Sequence, residues 1–196
     1  MGEKNIIILS AEASFARRVA LGALVRRPVK PLLQMIPGMF IFDFLKRNHE
    51  IKRYSKFYMP PRRLALEAAL AILYEDDRGA VHSKIEHQAR AWLESLTLHS
   101  DDANDALAAM ITLMADHYLK LLGAEGDEYI DLVKGAYKGR DAYESFVEEL
   151  LSLEGRFIRT ISDGLEASDI FRQRLLEEQS QVEEQRIKET EAIFVA

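Results

Sequence analysis

The apolar residues between Leu107 and Leu122 recur at intervals of three and four positions, the spacing that places side chains on one face of an α-helix. The same spacing returns between Tyr143 and Ile161. Further helical segments are predicted over residues 61–74, 81–98 and 129–137. The composition is that of a folded chain: 30% of the 196 residues are charged, 48% are apolar, and there are only 10 Gly and 5 Pro. The sequence therefore predicts an all-α fold, a multi-helix bundle of about six to eight helices.

The two ends of the chain carry a different pattern from the body. Residues Ile6 to Leu9 are mostly β-branched, and the C-terminal run Ala192 to Ala196 is the other strand-like segment. Because an isolated two-stranded ribbon is marginal in water, we expect short strands there only if they pack on the body or add to another chain. Residues 165–191 are helix-forming but sparsely apolar, so they form either a solvated helix against the body or a coiled-coil docking arm.

Charge is distributed unevenly along the chain. Residues 1–63 contain 13 Lys or Arg against 4 Asp or Glu, residues 64–196 contain 13 against 28, and the net charge is −6. Such asymmetry indicates contact between the basic end and an acidic surface, whether lipid headgroups, nucleic acid or an acidic protein. The alternative is that the basic arm lies on the acidic body of its own chain, because opposite charges within one chain attract each other first.

The segment from Lys30 to Arg47 is strongly apolar, and Pro37-Gly38 interrupts it. Between Lys30 and Lys46 lie 15 residues, which as a helix reach about 22 Å against about 30 Å of hydrocarbon, so a simple transmembrane crossing is excluded. Three destinations remain open: the protein's own core, one leaflet of a membrane, or a partner chain. In the core, Asp43 would need a buried partner such as an arginine of the arm.

These observations divide the chain into a basic, apolar N-terminal arm (1–59), a helical body (60–164) and an acidic C-terminal helix and tail (165–196). The residues expected to contact a partner or a membrane are bases and large apolar side chains of the arm. They are Arg17, Arg18, Arg26, Arg27, Lys30, Met39, Phe40, Phe42, Phe44, Lys46, Arg47, Lys52 and Arg53. Nucleic acid is disfavoured as the partner because the chain as a whole is acidic and no helix-turn-helix is recognisable.

Catalytic and metal-binding motifs are absent from the sequence. There is no cysteine, no His-Glu-x-x-His, no Gly-x-Ser-x-Gly and no glycine-rich phosphate loop. His82 and Glu86 stand four residues apart on one predicted helix, but a pattern this weak does not predict a metal site. The sequence therefore predicts neither a cofactor nor a metal, and it leans against an enzyme.

The leading interpretation is a non-catalytic accessory or adaptor protein that docks through its basic apolar N-terminal arm to a membrane surface or a larger protein complex. A protein partner or self-association is expected, with an anionic membrane surface as the alternative. With no secretory signal pattern and no cysteine, we expect a cytoplasmic protein, or one peripheral on the inner face of the membrane.

A second interpretation is a helical ligand-binding domain or enzyme whose pocket lies between the helices. The residues expected to line this pocket are His82, Glu86, Trp92, Met114, His117 and Tyr118.

Overall fold

A computed structural model describes residues 2–25, 39–75, 77–164 and 169–195, and these form seven α-helices. Side chains are described throughout except at 23–25, 39–48, 50, 164, 169–172 and 174. The helices are α1 (Gly2–Val25), α2 (Met39–Glu75), α3 (Arg78–Ser95), α4 (Asp101–Gly123), α5 (Tyr129–Ala136), α6 (Arg140–Gly164) and α7 (Asp169–Phe194). The all-α bundle predicted from the sequence is confirmed over these residues.

The predicted strands at the two termini are wrong. Ile6 to Leu9 belong to α1, and α7 continues to Phe194. Ile8 and Ile193 are buried in the core, because the helical spacing carries the apolar stripes of α1 and α7 to their ends. A β-branched residue costs less than about 1 kcal/mol in a helix interior, and burial of its side chain outweighs that cost.

Helix α4 is the centre of the bundle and packs against α2, α3, α5 and α6. Its predicted apolar face is buried, with Leu107, Ile111 and Tyr118 completely removed from solvent. Ser100 caps its N-terminus by accepting a hydrogen bond from the backbone N–H of Ala103 at 3.2 Å.

The first helix is held against the C-terminus of α4 by a lysine. Lys4 Nζ donates hydrogen bonds to the carbonyl oxygens of Leu122 at 3.1 Å and Ala124 at 2.6 Å. The last carbonyls of a helix lack partners within it and carry a partial negative charge, so a cation there satisfies both demands. Lys4 thus fixes α1 within the bundle.

Helix α2 runs without interruption through Pro60 and Pro61, where the sequence suggests a helix beginning at Pro61. Neither proline has a backbone N–H, so the carbonyls of Lys56 and Phe57 receive no bond from them. Tertiary packing compensates, since Tyr58, Ala65 and Leu66 on either side of the prolines are buried and α2 packs on α1 and α4. The expected boundary between arm and body, at residues 59 and 60, therefore lies inside α2.

Helix α7 lies on α1, α5 and α6, and its buried face is largely polar. Gln181, Arg186 and Thr190 are each at most 3% exposed. Close approach is possible because two neighbouring helices present glycine. A Cβ at Gly22 would overlap the Gln181 carboxamide, and a Cβ at Gly155 would lie 2.6 Å from Gln179 Nε2. The apolar stripe of α7 is therefore thin because much of the helix face that packs against its neighbours consists of polar side chains.

The turn after α3 ends the helix with a threonine in an unfavourable backbone conformation. The N–H of Leu98 donates to the carbonyl of Leu93 at 3.0 Å and that of Thr97 to Glu94 at 2.9 Å, which is a Schellman motif. This motif needs left-handed backbone at Thr97, whose φ is 60°. Glycine favours this region and β-branched residues rarely adopt it.

Replacing Thr97 by glycine is expected to raise the free energy of unfolding by about 1 kcal/mol, because the strain at positive φ is relieved. Urea denaturation monitored by circular dichroism measures this change. The matched control is Thr160→Gly within α6, which should lower stability by about 0.3 kcal/mol through helix propensity. A loss of stability in Thr97→Gly would contradict the hypothesis that the backbone at Thr97 is strained.

Candidate functional site

A cluster of charged side chains is buried where five helices meet. Glu12 of α1, Arg62 of α2 and Arg186 of α7 are each at most 4% exposed. The hydroxyls of Tyr58 and Tyr118 donate to the two carboxylate oxygens of Glu12, at 2.8 and 2.9 Å. Glu12 is therefore the hub of the cluster, which we call the Glu12 cluster: Glu12, Tyr58, Arg62, Tyr118, Glu154 and Arg186.

The two arginines bring α2, α6 and α7 into the Glu12 cluster. Arg186 Nη2 lies 3.6 Å from Glu12 Oε2 and donates to the Tyr58 hydroxyl at 3.0 Å. Arg62 pairs with Glu154 through Nη2, and its guanidinium lies 3.6 Å above the ring of Tyr58. The guanidinium of Arg186 lies 3.8 Å above the ring of Phe15, so each guanidinium has a carboxylate partner and an aromatic face, the surroundings that a buried arginine requires.

Glu12 is held in its ionised form. Burial alone would raise its pKa, but Arg186 and Arg62 and the two tyrosine hydroxyls outweigh burial, so the pKa of Glu12 lies below its usual value. A carboxylate so fully engaged is a poor general base, because it must give up these contacts to accept a proton. The Glu12 cluster therefore acts as a structural centre.

The Glu12 cluster was not predicted from the sequence, although the residue pattern of α1 contains one indication of it. Ile8, Glu12, Phe15 and Val19 follow one another at intervals of four, three and four, so Glu12 lies within an apolar stripe. A charged residue in such a stripe must be buried with a partner. The sequence does not reveal that the partners come from α2 and α7.

Next to the Glu12 cluster, an apolar cleft of about 500 Å³ opens between α2, α3, α6 and α7. Its walls carry aromatic and aliphatic side chains, and Arg53 and Glu178 pair at 3.5 Å beside it. A smaller chamber of about 160 Å³ continues from it toward Arg62 and Glu154. The lining residues of this apolar cleft are Arg53, Tyr54, Phe57, Trp92, Leu96, Leu98, Phe157, Ile158, Ile161, Leu175 and Glu178.

The predicted docking residues with described side chains divide into two groups. Arg18 and Arg53 pair with acids of α7, at 3.0 Å to Glu189 and 3.5 Å to Glu178. Arg17 and Lys52 are exposed. Outside the described residues lie Arg26, Arg27 and Lys30, and outside the described side chains lie Met39, Phe40, Phe42, Asp43, Phe44, Lys46 and Arg47.

Two exposed bases of α2 were missing from the predicted docking set. At 100° per residue, Lys52, Lys56 and Arg63 lie within about 40° of one another around the helix axis. All three are exposed, and none has an ion-pair partner among the described residues. We call these three residues the basic stripe. The i, i+4, i+11 spacing of its members was the signal available in the sequence.

The predicted pocket residues lie in three different surroundings within the described part of the chain. His82 and Glu86 are exposed on α3, 3.4 Å apart, whereas Met114, His117 and Tyr118 are buried in α4. The remaining member, Trp92, lines the apolar cleft. Over the described part of the chain, no group of three or more ligand-type side chains could hold a metal ion.

Comparisons with protein-family models, with curated proteins and with solved structures gave no match to this chain. Within the described helices, none combines the length and the apolar character that crossing a membrane requires.

His117 is a neutral core residue. It stacks on Phe146 with ring centroids 4.2 Å apart, and its Nδ1 shares a 2.7 Å hydrogen bond with the Tyr137 hydroxyl. Burial lowers the pKa of His117 to about 3. Its protonation therefore opposes folding.

Acidification is expected to destabilise the protein through His117. The unfolded chain binds the proton below about pH 6.5 and the folded protein does not until about pH 3. The contribution of His117 to the free energy of unfolding should therefore fall by about 1.2 kcal/mol between pH 6 and pH 5. Urea titrations of His117→Gln should show a flatter pH dependence, while His99→Gln, at an exposed position, should keep the original slope.

Replacing Glu12 by alanine is expected to lower the free energy of unfolding by about 3–5 kcal/mol, because Arg62 and Arg186 lose a buried counter-charge. Chemical denaturation at neutral pH measures the loss. Glu148→Ala, which removes an exposed acid, is the control and should change stability by less than about 0.5 kcal/mol. Equal effects of the two substitutions would contradict the central role of Glu12.

Proposed function

We propose that the protein is a non-catalytic accessory or adaptor protein that docks through its basic N-terminal third onto an acidic surface, either a membrane or a larger protein complex. The observation that carries this proposal is the basic stripe of Lys52, Lys56 and Arg63. Three exposed bases on one helix face, with no ion-pair partner in the described part of the chain, form a local positive field on a protein whose net charge is −6.

The distribution of ion pairs supports this role. Acids of the C-terminal half pair with Arg18, Arg53 and Arg62, so the arm does lie partly on its own acidic body. The basic stripe remains exposed on another face of α2, despite 28 acids in residues 64–196. Positive charge left outside such pairs is available to an external acidic surface.

The membrane form of the proposal draws on the sequence that precedes the basic stripe. Helix α2 begins at Met39, so Phe40, Phe42 and Phe44 occupy its first two turns, before Lys52. Each base near an anionic bilayer contributes about 1 kcal/mol, and inserted aromatic side chains would add buried apolar area. A larger complex with an acidic face offers the same complementarity to the bases.

Reversing two charges of the basic stripe should separate docking from folding. We expect Lys52→Glu/Lys56→Glu to weaken binding to anionic liposomes at low salt about thirtyfold or more, by the loss of about 1 kcal/mol per base. Flotation against neutral liposomes and in moderate salt measures the electrostatic part. The control Lys84→Glu/Lys138→Glu makes the same change in net charge at exposed positions outside the stripe.

Other outcomes of this experiment are equally informative. If the unaltered protein fails to bind anionic liposomes at low salt, the membrane form is wrong. The protein-complex form then predicts a partner-bound or self-associated species in light scattering that the stripe variant loses and the control keeps. Equal binding by both double variants would contradict docking through the stripe.

A further inference from the structure

The ion-paired arginines of α2 differ in how far they are open to solvent. Arg62 pairs with Glu154 in the interior, where the side chain of Arg62 is 4% exposed. Arg53 pairs with Glu178 of α7 at 3.5 Å, but the side chain of Arg53 is 36% exposed and that of Glu178 is 25% exposed. An anion outside the protein can therefore reach the guanidinium of Arg53, whereas it cannot reach that of Arg62.

Arg53 borders the basic stripe on the same helix. It follows Lys52 directly, and at 100° per residue it lies about 60° around the helix axis from Lys56. The three members of the basic stripe are exposed, and the side chain of Arg53 is partly so. If Arg53 left Glu178, it would add a fourth base to the surface that the stripe presents.

The acid that holds Arg53 is kept in place by its neighbours on α7. Leu175, three residues before Glu178, lines the apolar cleft. Val182, four residues after it, is buried in one apolar cluster with Phe15. Because these contacts are apolar, they position the carboxylate of Glu178 whether or not Arg53 is bound to it. Loss of the ion pair should therefore leave α7 in its place on the bundle.

The exposure of this ion pair makes it weak enough to exchange partners. Partly exposed ion pairs contribute little to stability, because water solvates both charges and the paired side chains lose conformational freedom. A surface that carries many negative charges offers the Arg53 guanidinium equivalent partners and attracts it more strongly than one carboxylate does. A surface with few negative charges does not offset the loss of the pair.

We propose that Glu178 is an autoinhibitory residue for docking: it holds Arg53 in an ion pair that opens when α2 meets a densely anionic membrane surface, so that Arg53 joins the basic stripe. This inference rests on the proposed function and adds its regulation. Opening the pair lowers the affinity for every anionic membrane, and only a dense surface charge overcomes this cost. Glu178 thereby selects against weakly charged membranes.

Glu178→Gln tests the proposal directly, because the amide keeps the shape of the side chain and removes its charge. The full-length variant should bind vesicles of phosphatidylserine and phosphatidylcholine about threefold more tightly than Glu183→Gln does, the value of one partly exposed ion pair. Glu183→Gln is the matched control, since it makes the same change in net charge at an exposed position of α7. Equal affinities of the two variants would overturn the proposal.

A double-mutant cycle with Arg53→Gln separates the release of Arg53 from a general change in charge. An ion pair that persisted in the docked state would contribute equally before and after docking, and its contribution would cancel from the affinity. A pair that opens does not cancel. The gain from Glu178→Gln should therefore fall to about that of the control when Arg53 is replaced by glutamine. The same gain in both backgrounds would overturn the proposal.

The same measurements distinguish this inference from the proposed function. Vesicle binding that depends on Lys52 and Lys56 but not on Glu178 would overturn the inference and leave docking through the basic stripe intact. If no variant binds the vesicles at low salt, the membrane form of docking and the inference are both wrong.

Discussion

The rest of the structure depends on one buried carboxylate. Glu12 accepts hydrogen bonds from Tyr58 and Tyr118 and lies between the guanidiniums of Arg62 and Arg186. Through these partners and Glu154, helices α1, α2, α4, α6 and α7 meet at a single point. A buried ion cluster adds little net stability compared with an apolar core of the same size. Its charged groups can pair, however, in only a few alignments of the helices that carry them. We infer that the main effect of the Glu12 cluster is to fix which residues of each helix face one another. The close packing of α7 against its neighbours agrees with this inference.

The Glu12 cluster and two ion pairs with α7 hold several bases of the N-terminal region against acids of the same chain. Arg62 is drawn inward, and Arg18 and Arg53 are drawn onto α7. The basic stripe of α2, by contrast, is exposed to solvent on another face of the helix. The two expectations raised by the charge asymmetry are therefore compatible: part of the basic end pairs with acids of its own chain, and the basic stripe has no ion-pair partner among the described residues.

The sequence predicted the fold best where apolar periodicity alone decides burial. Helix α4 and much of α6 follow their apolar stripes, because their neighbours are themselves apolar. Prediction failed where tertiary contacts override local preference. The β-branched residues near Ile8 form helix because burial in the bundle outweighs their strand propensity. Pro60 and Pro61 remain inside α2 for the same reason, and the polar face of α7 is buried because Arg186 finds Glu12 and Glu189.

The candidate sites show a similar limit. Composition located the basic end of the chain, but which bases stay exposed depends on where α7 lies, and no local pattern encodes that. The apolar cleft is less predictable still, because four helices contribute to it and the backbone turn at Thr97 precedes Leu98 in its wall. The cleft borders the Glu12 cluster through Arg62 and Glu154. Arg62 and Glu154 thus belong both to the ion cluster that aligns five helices and to the wall of the chamber that adjoins the cleft. The residues that fix the alignment of the helices also shape the inner end of this space.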